Sequence, residues 1–217
     1  MDIVLYQFPA SCSRVTMTAL EEIGIPFEDR CVNIRESEQK SASYVAINPK
    51  AKLPAMVVDG TVMTENAAML AFLDSRFPEA RLLPRTGDAV TDHRGLIDLV
   101  WVASTLHPIV RQVRMPVKLT QGDPSGVKAD GLAKFAEECG KLSTRIGDGW
   151  WYGDEWSIVD TYLYWAYSTA QAGGFPLSDY PRLVEHARRV RERPSFQRAL
   201  AREKAAVERF AIADVRL

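Results

Sequence analysis

The chain has 217 residues, 47% hydrophobic and 25% charged, a composition typical of a packed globular protein and not of a disordered one. The length suits two unequal domains, because single hydrophobic cores stop growing at roughly 250 residues. The 27 Lys and Arg residues nearly balance 28 Asp and Glu, so a net charge of -1 provides no field to attract nucleic acid or an anionic membrane, and neither partner is expected.

A βαβ unit is predicted at the start of the chain. Residues 3–6 form a β-rich run, and a turn over 9–13 leads into a helical stretch that ends at Gly24. One face of this helix is apolar and carries Val15, Ala19 and Ile23. Residues 27–34 form the second strand. The turn follows the carboxyl end of the first strand, which is the edge where ligands bind in α/β folds.

A ββα unit follows. Residues 55–58 form a strand, Asp59-Gly60 is a hairpin signal, and residues 61–63 return as the next strand. Thr64 can cap the helix that comes next. The apolar stripe of this helix consists of Met69, Phe72 and Leu73. The two units together predict an α/β domain.

The pattern divides the chain into a domain over 1–77, a linker over 78–89 and an all-helical domain over 90–217. The linker contains Pro, Gly, Arg and Asp without periodicity, and everything after it has helical spacing. Three sets of residues share a helical face: Ile97, Val100, Trp101 and Ser104; Leu132, Phe135, Cys139, Leu142 and Ile146; and Phe196 with Leu200. We therefore expect a helical bundle in the C-terminal half.

Cys12 is the candidate nucleophile, because free amides and the dipole at a helix N-terminus favour a thiolate. The alternative is a buried structural cysteine. Ser11 and Ser13 flank it as equally good helix caps or as hydroxyl donors that lower the pKa of a nearby thiol.

Two further motifs precede the third helix. Leu53-Pro54 stands before a strand, where a thioredoxin-like fold places a cis proline, and an ordinary trans loop proline is the alternative. Glu65 and Asn66 lie at a strand-to-helix junction, where helix amides attract a carboxylate and the glutamate can accept from an ammonium group. The alternative is a helix capped by Thr64 with an acidic first turn.

Three features of the helical half have structural interpretations. Ser157 and Asp160 match a capping box and predict a firm helix start. His107 on an apolar helix is either a core histidine bonded to a backbone carbonyl or a site residue. The arginine-rich segment 188–202 is interleaved with glutamates, which indicates a solvated helix face and not a nucleic-acid site.

The cysteine pattern favours a reducing, cytoplasmic compartment. The chain has three cysteines, an odd number without a CxxC pair, so neither a disulfide framework nor a metal site is expected. The start MDIVLYQF lacks a basic segment, and no apolar run approaches about 18 residues. We expect neither a signal peptide nor a transmembrane helix.

Taken together, these features resemble the cytosolic glutathione transferases, with the bacterial beta class as the nearest match, over essentially the whole chain. The matching segments are 10–13, Asn48-Pro49, 53–55, Thr64-Glu65, 105–107, 156–163 and Arg193-Pro194. The resemblance implies a thioredoxin-like N-terminal domain, an all-α C-terminal domain and a homodimer.

The resemblance also implies a glutathione site and a second site for a small hydrophobic electrophile. Glutathione, the cosubstrate, would contact Leu53 and Pro54, Glu65 and Asn66, Arg35 and His107, with Cys12 beside its sulfur. The electrophile site would include Trp101, His107 and Arg111. The sequence departs from the family pattern at Asn66, where the family has glycine, and at Val100, where a polar residue can contact the ligand.

The function implied is a glutathione transferase that activates the glutathione thiol for attack on an electrophilic carbon or a mixed disulfide. One alternative is a glutathione-dependent reductase, lyase or dehalogenase in which Cys12 acts covalently. The other is a non-catalytic binding or regulatory protein on the same fold.

Overall fold

The computed structural model describes residues 1–215 and 217, and its internal contacts divide the chain into two units. The first unit consists of Met1–Leu82 together with Arg193–Leu217, and the second consists of Leu83–Glu192. The predicted linker carries a short 3-10 turn, Pro78–Ala80, and both Leu82 and Leu83 are buried.

A four-stranded mixed sheet forms the centre of the first unit. Its strands are β1 Ile3–Gln7, β2 Glu28–Cys31, β3 Ala55–Val58 and β4 Thr61–Thr64. The strand order is β2-β1-β3-β4, with β2 parallel to β1 and the other two pairs antiparallel. This topology confirms the predicted thioredoxin-like α/β domain. β2 is shorter than predicted, because the chain turns at Asn33, whose carbonyl accepts the amide of Glu36.

Among its described residues this unit has four α-helices: α1 Ser13–Ile23, α2 Ala42–Ile47, α3 Asn66–Arg76 and α10 Pro194–Arg209. Val15 and Ala19 of α1 are fully buried, as their spacing predicts. Gly24 ends α1 in the left-handed region at φ 77°, and its amide donates to the Leu20 carbonyl at 3.0 Å. The prediction of this helix end is confirmed.

The hairpin between β3 and β4 has the predicted turn. Asp59 and Gly60 both have positive φ, 46° and 82°, as a two-residue turn of the primed type requires. Thr64 does not cap α3, and that prediction was wrong. It pairs with Ala55 as the last residue of β4, so Glu65 becomes the residue that precedes the helix, with φ 70°.

Helix α10 packs against α1 in the first unit, whereas the sequence-based division placed it with the helical half. Phe196 and Leu200 are buried on its inner face, and Glu203 on the same face is fully buried against Arg14 of α1. At the exposed margin, Arg198 and Arg202 form ion pairs with Glu21, so these arginines are paired with carboxylates of the chain itself.

The second unit is all-helical. Its helices are α4 Ala89–Asp92, α5 Arg94–Trp101, α6 His107–Arg114, α7 Ser125–Ile146, α8 Ile158–Ala172 and α9 Pro181–Glu192. A π-helical turn, Val102–Leu106, joins α5 to α6. On α7 four members of the predicted stripe, Phe135, Cys139, Leu142 and Ile146, are buried, and the fifth, Leu132, is half-buried. None of the helices within the described residues is both long and apolar enough to span a membrane.

The apolar face predicted on α5 does not face the interior of the second unit. Ile97 is 58% exposed and Val100 is 48% exposed. Leu99, Val102 and Leu106 are the buried residues of this region, and the π-turn changes the helical period between them.

Candidate functional site

Cys12 lies at the N-cap of α1, at the end of the turn that follows β1. Its side chain is largely buried, and its Sγ lies 3.8 Å from the carbonyl oxygen of Leu53, a weak S–H···O contact. Leu53 precedes Pro54 through a cis peptide bond, as predicted. Two of the predicted site residues, far apart in the sequence, therefore meet within the first unit.

The serines beside Cys12 hold the turn. The Ser13 hydroxyl is fully buried, donates to the Phe8 carbonyl at 3.1 Å and accepts the Phe8 amide at 3.2 Å. The Ser11 hydroxyl lies 2.6 Å from that of Ser13 and accepts the Ser13 amide at 3.2 Å. The Ser13 hydroxyl is thus bonded inside the turn, and its effect on the pKa of a nearby thiol stays a prediction.

Glu203 of α10 also stabilises this turn through hydrogen bonds. The Glu203 carboxylate accepts the Ala10 amide at 3.1 Å and the Arg14 Nε at 2.7 Å, and a second Arg14 nitrogen contacts the same oxygen. Ala10 has φ 59°, so this carboxylate holds the turn at its left-handed residue. Sequence reasoning missed Glu203 because it lies 193 residues from Ala10 and has no local motif.

The loop before Leu53 is fixed by two side chains. The Tyr44 hydroxyl donates to the Lys52 carbonyl at 2.7 Å, and the Asn48 amide donates to the same oxygen at 2.8 Å. Burial raises the pKa of Tyr44 to about 12, so its hydroxyl stays protonated as a donor at neutral pH. Asn48 was part of the sequence resemblance, but the role of Tyr44 had no sequence signal.

The start of α3 carries Glu65 and Asn66. The Glu65 carboxylate is exposed and forms an ion pair with Lys50 at 2.8 Å, and the Lys50 ammonium also donates to the Thr64 hydroxyl at 2.9 Å. Asn66 is buried, and its side chain bonds to α1 instead of pointing outward. The predicted pair therefore has one outward carboxylate and one inward carboxamide.

Arg35 has partners other than the predicted ones. Its guanidinium donates to the carbonyl oxygens of Ala213 and Asp214 near the end of the chain, the latter at 2.9 Å. In this structure Arg35 therefore holds the C-terminal segment of the first unit.

In the second unit, His107 packs in an aromatic cluster. Its ring centroid lies 4.3 Å from that of Trp165, and its Nδ1 lies 3.3 Å from the Tyr162 hydroxyl. The Trp165 indole N–H is buried and has no hydrogen-bond partner among the described residues. Residues 162–167 are rich in aromatic side chains, but the sequence does not show which of these rings would meet His107.

Trp101 belongs to a different place in the same unit. It stacks on Trp151 at 5.5 Å between centroids, and the Arg145 guanidinium lies 3.7 Å from the Trp151 ring. A cavity of about 330 Å³ is lined by Asp98, Trp101, Glu138, Lys141, Leu142, Arg145 and Trp151. Neither His107 nor Arg111 lines this cavity.

The predicted capping box is present at the start of α8. Asp160 is fully buried and accepts the Ser157 amide at 2.8 Å, the Trp151 amide at 2.7 Å and the His186 Nε2 at 2.9 Å. The other imidazole nitrogen contacts the Tyr167 hydroxyl. Burial is the main reason that the pKa of Tyr167 lies well above its usual value. These bonds join three segments of the second unit, namely α8 with its N-cap, α9 and the loop that contains Trp151, and they stabilise this unit.

The other two cysteines are poor nucleophiles. Burial, with help from Glu38 and Asp29, raises the pKa of Cys31 to about 11. Burial, with help from Glu138, raises the pKa of Cys139 to about 12. Both thiols are protonated at neutral pH, which leaves Cys12 as the candidate for thiolate chemistry.

Comparison with known proteins gives a consistent family. The model of the glutathione S-transferase N-terminal domain matches residues 10–76. Glutathione S-transferase GstA of Escherichia coli O157:H7 is 26% identical over 92% of this chain and 98% of its own length. Maleylacetoacetate isomerase of Rattus norvegicus is 30% identical over 82% of each chain.

Solved structures agree. A bacterial beta class glutathione S-transferase of Sphingomonas chungbukensis has a TM-score of 0.80 at 28% identity and covers 92% of this chain and 98% of its own. A sphingomonad glutathione S-transferase in complex with glutathione has a TM-score of 0.81 at 27% identity, with 93% and 98% covered.

Proposed function

Because the chain belongs to the cytosolic glutathione transferase superfamily, we propose that it is a glutathione transferase. It activates the glutathione thiol for attack on a hydrophobic electrophile or a mixed disulfide. The observation that carries this proposal is the meeting of Cys12 with Leu53 in the first unit, at the carboxyl end of β1. Glutathione is the cosubstrate, as in the solved sphingomonad complex.

The first unit offers complementary groups for the γ-glutamyl end of glutathione. The exposed Glu65 carboxylate suits the ammonium group, and the first amides of α3 suit the α-carboxylate. The Leu53 backbone would pair with the cysteinyl part of the peptide, which brings the glutathione sulfur beside Cys12. Asn66 contributes its backbone amide, since its side chain is bonded to α1.

The chemistry then depends on where the sulfur attacks. In conjugation, the glutathione thiolate forms an S–C bond as the leaving group departs with its electron pair. In disulfide exchange, the Cys12 thiolate attacks the glutathione sulfur of a mixed disulfide and releases the other thiolate. A second glutathione then attacks the Cys12 adduct and leaves as oxidised glutathione. A reductase would use this exchange directly.

In a reductive lyase or dehalogenase, glutathione would first displace the leaving group to form a thioether, and the Cys12 thiolate would then attack the thioether sulfur. The S–C bond would break with its electron pair on carbon, which takes up a proton, and a second glutathione would release the Cys12 adduct as oxidised glutathione.

For the second substrate we propose the aromatic cluster of His107 in the second unit. Trp165 supplies a buried indole N–H for a polar atom of the electrophile, and the rings supply apolar surface. Arg111 follows His107 by one helical turn and can contribute a positive charge. The cavity lined by Trp101 is a second candidate for the electrophile site. A role in detoxification follows from this type of reaction.

Isomerisation is the second candidate, because a relative of 30% identity is a maleylacetoacetate isomerase. Glutathione would add to a cis double bond through a new S–C bond, rotation would follow, and breaking the same bond would return the thiol. Glutathione is not consumed in this reaction. Turnover of maleylacetoacetate without loss of free thiol would therefore distinguish isomerisation from conjugation.

A cytoplasmic homodimer completes the proposal. Ile97 and Val100 expose apolar side chains on one face of α5, and burial of this face in a subunit contact would be favourable. The location rests on family membership. The solution mass of the purified protein, measured by light scattering, tests the dimer: twice the chain mass supports it, and the single mass contradicts it.

Calorimetric titration with glutathione tests the proposed function, followed by assays with 1-chloro-2,4-dinitrobenzene and with 2-hydroxyethyl disulfide. Saturable binding with turnover of either substrate supports a transferase or reductase. Binding without turnover of either compound or of maleylacetoacetate would favour the non-catalytic alternative. Absence of binding would contradict the proposal.

A further inference from the structure

Asn66 connects the start of α3 with the turn that carries Cys12. Its Nδ2 donates to the Cys12 carbonyl oxygen at 2.8 Å, and its Oδ1 accepts from the Thr16 hydroxyl at 2.6 Å. The Asn66 side chain is buried, and Thr16 is fully buried. We propose that Asn66 is a positioning residue, which orients Cys12 from the same helix start that receives the γ-glutamyl group. This inference rests on the proposed function.

The residue type suits both bonds. A carboxamide presents a donor and an acceptor on one rigid plane, and Cys12 and Thr16 lie one turn apart along α1. Aspartate at position 66 could still accept from Thr16 but would set an oxygen against the Cys12 carbonyl. Alanine would remove both bonds. The identity of the side chain at position 66 therefore decides whether the Cys12 carbonyl keeps this side-chain donor in addition to its backbone donor.

The hydrogen bond from Asn66 to the Cys12 carbonyl is shorter than a backbone hydrogen bond to the same oxygen. This backbone bond comes from the Val15 amide at 3.2 Å, in the first turn of α1. Loss of the Asn66 donor would let the Cys12 peptide rotate and move its Sγ away from the Leu53 carbonyl. Because a displacement of about 1 Å can cost about 100-fold in rate, even a partial shift should lower turnover.

Asn66 therefore has two separable roles. Its backbone amide belongs to the start of α3, beside Glu65, and stays when the side chain is changed. Its side chain serves Cys12. Side-chain variants should consequently lower kcat for disulfide exchange by about tenfold and raise the glutathione Kd by less than about threefold. If the Asn66 side chain contacted glutathione directly, its variants would instead raise the glutathione Kd and leave kcat nearly unchanged.

The test uses Asn66→Ala and Asn66→Asp, with Thr16→Val as the matched control. Thr16→Val removes the bond to Oδ1 but leaves the bond from Nδ2 to Cys12. Three quantities are measured: the glutathione Kd, kcat for 2-hydroxyethyl disulfide at saturating glutathione, and the pH dependence of Cys12 alkylation by iodoacetamide. Both Asn66 variants should lower kcat and shift the alkylation profile. Thr16→Val should have a kcat within about twofold of the wild-type value and the same pH dependence of Cys12 alkylation as the wild type.

Two results would overturn the inference. A raised Kd with wild-type kcat and alkylation profile in Asn66→Ala would make Asn66 a direct ligand contact. An equal loss of kcat in Thr16→Val would show that the loss comes from disturbed packing around α1 and not from the bond between Asn66 and Cys12. If Asn66→Ala does not fold, the same measurements on Asn66→Asp test the inference, because aspartate can still accept the hydrogen bond from Thr16. Failure of the wild type to bind glutathione would instead contradict the proposed function, and the titration shows this separately.

Discussion

Replacing Glu203 by glutamine should lower the free energy of unfolding by about 3–5 kcal/mol, the usual cost of leaving a buried charge unpaired. The Glu203 side chain is fully buried, and that of its partner Arg14 is 4% exposed. Glutamine keeps an oxygen for the Ala10 amide, which Glu203 accepts at 3.1 Å. The substitution therefore isolates the loss of the negative charge next to Arg14.

A double-mutant cycle with Arg14→Met separates charge from packing. Glu203→Gln with Arg14→Met removes both charges, so we expect the double variant to be more stable than Glu203→Gln alone and the two effects not to add. Urea unfolding followed by circular dichroism gives each free energy. The exposed ion pair of Arg188 with Glu185 provides the control, and Arg188→Gln should have little effect because solvent screens it. Simple additivity, or a loss below about 0.5 kcal/mol for Glu203→Gln, would refute the reasoning.

Four further outcomes are expected. Cys12→Ala should abolish glutathione-dependent disulfide reduction and keep part of any conjugation, because a bound glutathione thiolate needs only polarisation to attack carbon; full reductase activity would contradict this. Glu65→Gln should raise the glutathione Kd in calorimetry without a change in melting temperature, and an unchanged Kd would remove Glu65 from the site. Ser157→Ala with Asp160→Ala should cost about 3–5 kcal/mol in thermal unfolding, because a buried network loses its acceptor, while turnover per folded molecule stays nearly constant. Iodoacetamide at pH 8 should modify Cys12 first, because burial raises the pKa of the other two thiols to about 11 and about 12; peptide mapping that finds either of those first would contradict it.

Local features of the fold could be predicted because their causes lie within a few residues. Gly24 ends α1 and Asp59-Gly60 forms the hairpin turn through backbone geometry, and Ser157 starts α8 through the capping box with Asp160, so each feature depends on one short segment. Thr64 was the local failure. Its strand pairing with Ala55 outweighed its tendency to cap a helix.

The unpredicted part consists of contacts between distant segments. Glu203 accepts a hydrogen bond from Ala10, which lies 193 residues away in the sequence, and no sequence pattern predicts this bond. The identity of Asn66 was visible, but whether its side chain would face a ligand or Cys12 depends on how α1 and α3 pack. His107 likewise meets Trp165 only after α6 and α8 are assembled.

The most direct test of the central claim is mass spectrometry of the wild-type protein after incubation with oxidised glutathione. If the chain is a glutathione-dependent enzyme with its sulfur chemistry at Cys12, the peptide that contains Cys12 should carry a glutathione adduct that reduced glutathione removes. The peptides with Cys31 and Cys139 serve as internal controls and should stay unmodified, because both thiols are protonated at neutral pH. An unmodified Cys12, or equal adducts on all three cysteines, would contradict the account.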